Sequence, residues 1–249
     1  MKKYLIVFIL LLGSIFFGTA QNPVTNGKVT YSVDLQPFLA YVRSAPETAK
    51  YPQMVTFFGD MPGLAERMEL ELTFSGKQSR FRIKKGLRVG REDINMAIVV
   101  KRFVSKGIYY TDLDKKIQIL RTRHGGTVYN VKSNIGNINW KLTREKKKIG
   151  DFVCYKATHQ KKVLDKYYEV TAWYAPGIPL AFGPGEYAGS LPGLILELYD
   201  HVKHFRCTSI TLNPEKKITV SFPNEAAITT ITEEEYQQIG DGIYQSFKQ

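Results

Sequence analysis

The side chains best suited to metal binding or to nucleophilic catalysis are those of four histidines and two cysteines. His201, His204 and Cys207 follow one another three residues apart, a spacing that resembles a metal site. On a strand, residues three apart point to opposite faces, so one ion could bind them only if the segment turns. Asp200 to Lys203 is typical of such a turn, and the two imidazoles could then converge. No further ligand is evident nearby, so we predict a hairpin turn and no metal.

A cysteine nucleophile would need a histidine as its base, and His159 could pair with Cys154 or with Cys207. Both cysteines lie in strand patterns rather than at a helix N-terminus, which would lower the thiol pKa. Ser190 stands in Ala-Gly-Ser-Leu-Pro and not in the Gly-x-Ser-x-Gly turn of serine hydrolases. We therefore expect no catalytic residue and no cofactor. The alternative is a metal-handling or hydrolytic enzyme that uses the two close histidines and the cysteines.

The N-terminus has the three parts of a secretory signal peptide. Lys2 and Lys3 are basic, Tyr4 to Phe17 is almost entirely apolar, and Gly-Thr-Ala supplies small residues up to Ala20. The pattern predicts cleavage after Ala20 and an exported protein, periplasmic or secreted. Gln21 follows the cut in place of a cysteine, so we expect no lipoprotein anchor. No later segment is apolar enough to predict a transmembrane helix.

The formal net charge is +12, from 35 Lys and Arg against 23 Asp and Glu. The basic residues stand in short runs, such as Lys84-Lys85 and Arg144 to Lys148, near predicted turns and strand ends. Lysines at such positions keep sheet edges soluble. We therefore predict solvated hairpin tips and no nucleic-acid partner.

Residues 21–249 are predicted to form a single mainly β domain. Most of this region alternates apolar and polar residues, as in Glu69 to Phe74 and in Ser79 to Lys84. About a dozen short alternating segments predict an antiparallel meander. They include Ala97–Val104 and Lys216–Phe222. One or two short helices are expected within residues 36–65, and a capping box at Thr232–Glu235 predicts a C-terminal helix. A sheet of this kind must cover its apolar face, which favours a curled sheet or half-barrel.

Cys154 and Cys207 are the only cysteines, and an even number in an exported chain suggests a disulfide. The bridge would close a loop of 53 residues (207 − 154) and contribute roughly 3–4 kcal/mol. Two unpaired buried thiols on separate strands are the alternative.

Residues 173–199 carry four prolines and five glycines among aromatic and aliphatic residues. Proline and glycine exclude a helix or a central strand, and the apolar content is unlike that of a flexible linker. The segment is predicted to be a long shaped loop between two strands, used for packing or for recognition. Its candidate binding residues are Trp173, Tyr174, Pro176, Pro179, Phe182, Pro184, Tyr187, Leu191, Pro192 and Leu194.

Several motifs in this half of the chain resemble those of the GLPGLI family of exported Gram-negative proteins. They are T-A-W-Y-A-P-G-I-P at residues 171–179, G-P-G-E-Y-A-G at 183–189 and S-L-P-G-L-I-L-E-L at 190–198. Nearer the N-terminus, M-P-G-L at residues 61–64 resembles the N-terminal half of the family. Ser190 replaces the first glycine of the name-giving hexapeptide. The resemblance implies an envelope role, accessory to outer-membrane receptors, without established catalytic residues. We expect a non-enzymatic protein that binds an envelope partner protein or an apolar or lipid ligand, by analogy with curved lipoprotein-carrier sheets.

Overall fold

The computed structural model describes residues 23–84, 94–163, 165–224 and 228–246. The predicted signal peptide lies outside the described residues. In the described ranges there are twelve strands and six α-helices. The strands are β1 (Asn26–Asp34), β2 (Leu70–Ser75), β3 (Gln78–Ile83), β4 (Ile108–Asp112), β5 (Ile117–His124), β6 (Thr127–Asn134), β7 (Lys141–Ile149), β8 (Phe152–Val163), β9 (Lys166–Ala175), β10 (Leu194–Asp200), β11 (Lys203–Leu212) and β12 (Thr230–Thr232). The helices are α1 (Gln36–Ser44), α2 (Pro46–Lys50), α3 (Gln53–Phe58), α4 (Met61–Glu66), α5 (Ile94–Val104) and α6 (Glu233–Ser246).

All twelve strands belong to one open, curled sheet in the order β12-β6-β5-β4-β3-β2-β1-β11-β10-β9-β8-β7. Every neighbouring pair is antiparallel except β12 and β6, which run parallel. The short helices α1 to α4 follow β1, and α6 ends the described chain. The predicted fold class is confirmed. Among the described residues, no helix has the length and apolar character that a membrane span requires.

The alternating pattern places β2 and β3 in register with their polar residues facing each other. Glu71 pairs with Arg82, and the Arg82 Nη2 lies 2.9 Å from Glu71 Oε1. The adjacent pair, Leu72 and Phe81, lies on the opposite face and is buried. The period of two therefore separates a charged face from an apolar face.

Two segments predicted as strands differ in the structure. Residues 97–104 belong to the helix α5, which buries Ala97, Val100 and Val104 at helical spacing and packs against α4. The segment 216–222 is not a strand. The Asn26 side chain bonds both the carbonyl and the N–H of Ile218, at 2.7 and 2.9 Å, so these groups are satisfied without a strand partner.

Candidate functional site

The proline- and glycine-rich loop joins β9 to β10 and packs against the sheet. Phe182 is fully buried, and its ring centroid lies 5.8 Å from that of Phe74 on β2. Gly189 has a φ of 93°, a left-handed conformation that glycine tolerates. Its N–H donates to the carbonyl of Ala181 at 2.7 Å. These contacts fold the loop back on itself and give it a defined shape.

The ten candidate binding residues of this loop and its flanking strands differ in exposure. Those that are buried are Tyr174, Phe182, Pro184, Tyr187, Leu191 and Leu194. Trp173 is half-buried, and the exposed members are Pro176, Pro179 and Pro192. Most of the apolar side chains of the loop are thus part of the core and cannot contact a partner without unfolding. Pro184 and Tyr187 differ from the other buried residues because they also line polar cavities.

A cleft of about 510 Å³ opens beside this loop. It is lined by residues of β4, β5, β6 and β8, by a single 3-10 turn (Gly185–Tyr187) and by the start of α6. The volume lies within the range of small-molecule sites. Its charged or titratable lining residues, other than tyrosine, are Lys106, His159, Lys161, Lys162, Glu186 and Glu233.

Gln118 on β5 fixes the 3-10 turn at the cleft. Its Nε2 donates to the hydroxyl of Thr111 and to the carbonyl of Gly185, both at 3.0 Å. Gly185 has a φ of 58°, so a residue that tolerates the left-handed region is needed where the turn begins. The turn then carries Glu186 and Tyr187 into the cleft wall.

Lys161 on β8 is the centre of a charged network at the inner end of the cleft. Its Nζ donates to Glu186 Oε1 at 2.8 Å, to the Tyr187 hydroxyl at 3.1 Å and to Asp200 Oδ2 at 3.3 Å. The Tyr187 hydroxyl donates in turn to Asp200 Oδ2 at 2.7 Å. The Asp200 side chain is only 3% exposed. Lysine, tyrosine and both carboxylates therefore form one connected unit.

Burial disfavours the charged form of each group in this network. For Lys161, Glu186 and Asp200, the neighbouring opposite charges outweigh this effect of burial. The pKa of Lys161 is raised because Glu186 and Asp200 favour its ammonium. The pKa of each of these carboxyl groups is lowered against the effect of burial, mainly by Lys161. Burial and the Asp200 carboxylate raise the pKa of Tyr187 far above its usual range, so this hydroxyl is a donor at all physiological pH values.

The predicted turn at Asp200 to Lys203 is confirmed, since residues 201 and 202 form the turn between β10 and β11. His201 Nδ1 lies 2.9 Å from Asp200 Oδ1, and its ring stacks on Tyr168 with centroids 4.2 Å apart. His204 Nε2 donates to Glu197 Oε1 at 2.8 Å. Each histidine is therefore bound to a carboxylate of its own. The described part of the chain contains no group of three or more potential metal ligands.

Cys154 and Cys207 are free thiols in the structure, in place of the candidate disulfide. Cys154 lies on β8 and Cys207 on β11, with β9 and β10 between them in the sheet. Three strand spacings of about 4.8 Å exceed the separation of the two Cα atoms that a disulfide allows. Burial raises the pKa of each thiol to about 11, so both are protonated near neutral pH.

A second charged cluster surrounds Glu197 on β10. His204 donates to one carboxylate oxygen, and Lys147 Nζ lies 2.6 Å from the other and 4.4 Å from the ring centroid of Trp173. The hydrogen bond from His204 lowers the pKa of Glu197, and Lys147 lowers it further, whereas burial acts in the opposite direction. Together these effects bring the pKa from 4.5 to about 2. A carboxylate with a depressed folded pKa stabilises the protein above its unfolded pKa, and this stabilisation disappears as the pH falls through the folded pKa.

We expect Glu197→Gln to lower the free energy of unfolding at pH 7, because His204 and Lys147 lose their anionic partner. The difference from the wild type should shrink between about pH 4.5 and pH 2, where the wild-type carboxylate becomes protonated. Urea unfolding of both proteins at a series of pH values measures this difference in the free energy of unfolding. Glu145→Gln is the control, since its carboxylate pairs with Lys156 but is 59% exposed. A difference for Glu197→Gln that is constant with pH would contradict the expectation.

The cleft and the Lys161 network were not predicted from the sequence. Lys161, Glu186 and Asp200 come from a strand, a loop and the end of another strand, and their proximity depends on the strand order. One signal was available. Glu186 is the single charge between β9 and β10, and Asp200 ends a strand whose other residues, apart from Glu197, are apolar. An isolated carboxylate in an apolar segment is usually paired when the chain folds.

The model of a family described as "Protein of unknown function (Porph_ging)" matches residues 159–197, from β8 into β10, which include Lys161, Glu186 and the whole loop. No curated protein matches this chain. The solved structures of PNGF-II in its C2 and P21 crystals are similar, with a TM-score of 0.50 and 13% sequence identity in both cases.

The PNGF-II likeness covers 86% of this chain but 32% of the chain in the C2 crystal and 33% in the P21 crystal. This chain thus spans about a third of the length of the PNGF-II structures. At this identity the likeness concerns the fold alone.

Proposed function

We propose that this protein is an exported, non-enzymatic, GLPGLI-like protein of the cell envelope that binds a small polar ligand in the cleft beside the 3-10 turn. The observation that carries the proposal is the cleft itself, about 510 Å³ in volume and lined by lysines, carboxylates and a histidine. The export is inferred from the signal-peptide pattern of residues 1–20.

The chemistry of the cleft favours a polar ligand over an acyl chain. Ile178, Phe182 and Leu191 of the loop are buried and pack into the core, so they do not form an open apolar surface for an acyl chain. In the cleft, Leu120 and Val131 form an apolar patch between charged side chains. Sites of this composition orient a ligand through a few polar contacts and bind its body by apolar contact.

The state of the possible nucleophiles favours binding over catalysis. Both thiols have pKa values of about 11, and a protonated thiol is a poor nucleophile. Asp200 and Glu186 are held as carboxylates by Lys161, with lowered pKa values, so neither is tuned as a general acid near pH 7. Glu186 and Asp200 line the cleft or the cavity beside it and can hold a ligand, but neither is prepared for proton transfer.

We expect Ser133→Trp to abolish ligand binding. Ser133 on β6 is half-buried and lines the cleft, so an indole there would occupy the space of the ligand. Saturation-transfer NMR with a library of soluble carboxylates, phosphates, amides and sugars should detect binding to the wild type and not to this variant. The matched control is Thr127→Trp, at an exposed position about 20 Å along the same strand. Equal binding by all three proteins, or no binding by the wild type, would contradict the proposal.

A further inference from the structure

A second cavity, of about 70 Å³, adjoins the cleft. The two spaces share the lining residues Lys106, Tyr109, Lys161, Glu186 and Tyr187. A single buried water needs only 10–15 Å³ of such space, so the smaller cavity has room for a small polar group. Its position makes it an inner compartment of the cleft.

The inner compartment has an excess of positive charge. Lys106, Lys161 and Lys203 line it together with only two carboxylates, those of Glu186 and Asp200. Lys161 lies between both carboxylates, at 2.8 and 3.3 Å. Lys106 Nζ is 3.9 Å from Glu186 Oε2, at the outer limit of an ion pair. With every group ionised, the net charge of these five side chains is +1.

Lys203, at the start of β11, is the cation without a close carboxylate. Its Nζ donates to the carbonyl of Phe103 at 3.4 Å and lies 5.7 Å from the centroid of the Phe103 ring. Among the described residues, no carboxylate oxygen is within 4 Å of it. Burial lowers its pKa, although Asp200 and Glu186 favour the ammonium. Lys203 is half-buried, and an ammonium with one long hydrogen bond is short of acceptors.

We infer that the inner compartment binds the anionic group, a carboxylate or a phosphate, of the ligand in the cleft. Lys203 and Lys106 would donate to its oxygens, because the Lys161 ammonium is already bonded to Glu186, Tyr187 and Asp200. Tyr109 also lines the compartment, with a hydroxyl group. The inference rests on the proposed function and specifies its ligand class as small organic anions whose polar body remains in the cleft.

Acetate and inorganic phosphate are the probes, with acetamide as the neutral analogue of acetate. Isothermal titration calorimetry at constant ionic strength should show that the wild-type protein binds an anion more tightly than acetamide. Lys203→Met keeps the length of the side chain and removes its charge, so it should weaken anion binding about tenfold or more. Lys166→Met is the matched control, since Lys166 is exposed on β9 and lines neither the cleft nor the inner compartment.

Lys106→Gln provides an independent variant should Lys203→Met not fold, because Lys106 is 61% exposed and its replacement spares the core. It should also weaken anion binding. Anion affinities unchanged in both variants, or anions that bind no better than acetamide, would overturn the inference. If neutral compounds then still bind to the wild type and not to Ser133→Trp, the proposed function stands without the anion site. If Ser133→Trp binds all ligands as the wild type does, the proposed function fails, and the lysine variants decide the anion site alone.

Discussion

Replacing Phe182 by alanine is expected to lower the free energy of unfolding by about 3–5 kcal/mol. Phe182 is fully buried in the middle of the loop between β9 and β10, against Phe74 of β2. Its N–H donates to the carbonyl of Leu180, and its carbonyl accepts from the N–H of Ile195, at 2.7 and 2.9 Å. Removal of the ring would leave a cavity that these backbone hydrogen bonds prevent from collapsing.

Urea denaturation monitored by circular dichroism measures the effect, with Pro179→Ala as the matched control. Pro179 belongs to the same loop but is exposed, so its replacement should cost no more than about 1 kcal/mol, through the entropy of the unfolded chain. Similar values for the two variants would mean that the loop is not part of the core. A large loss for Phe182→Ala alone would establish that the loop has the packing role that its burial indicates.

The loop shows what its sequence could and could not predict. Proline and glycine excluded regular structure, and the apolar residues among them predicted a fixed shape, which the burial of Ile178 and Phe182 confirms. The choice between packing and recognition depends on which side chains meet the sheet. Which side chains those are follows from the strand order of the sheet. In that order β9 and β10 are neighbours, whereas β2 and β11 are separated by β1. Such long-range pairing leaves no local signal.

The segment 94–104 shows how tertiary packing overrides local preference. Ile98, Val99 and Val100 are β-branched residues in a row and favour a strand. In the structure they belong to α5, because the helix buries Val100 with Ala97 and Val104 against its neighbours. Ile98 is left 60% exposed. The helical spacing of the buried residues was present in the sequence, but the apolar residues between them obscured it.

The network at the inner end of the cleft gives the other large expected effect. Replacing Lys161 by methionine should lower the free energy of unfolding by about 3–5 kcal/mol, because Asp200 and Glu186 are left without their main cation. The Lys161 aliphatic stem is retained by methionine, so the loss is one of charge. Lys162→Met is the matched control, because Lys162 is the next residue and is exposed, and it should change stability by no more than about 0.5 kcal/mol.

The pH dependence of the Lys161→Met effect identifies its cause. In the wild type, Asp200 and Glu186 have lowered pKa values, so they stabilise the fold above their unfolded values of 3.8 and 4.5 and cease to do so as the pH falls. The deficit of the variant should therefore be greatest near pH 7 and decrease below about pH 4. Unfolding free energies at pH 7, 5 and 3.5 measure it. A deficit independent of pH would indicate lost packing in place of lost charge.

A double mutant separates the pairwise interaction from the cost of the unpaired carboxylate. When Asp200→Asn is added to Lys161→Met, the buried amide no longer needs a cation and can still accept a hydrogen bond from Tyr187. The double variant should recover about 1–3 kcal/mol relative to Lys161→Met alone, since contacting groups in one network do not contribute additively. If the two single effects were simply additive, Lys161 and Asp200 would not be energetically coupled. In that case, the backbone of β8 and of the 3-10 turn would determine the shape of the cleft wall.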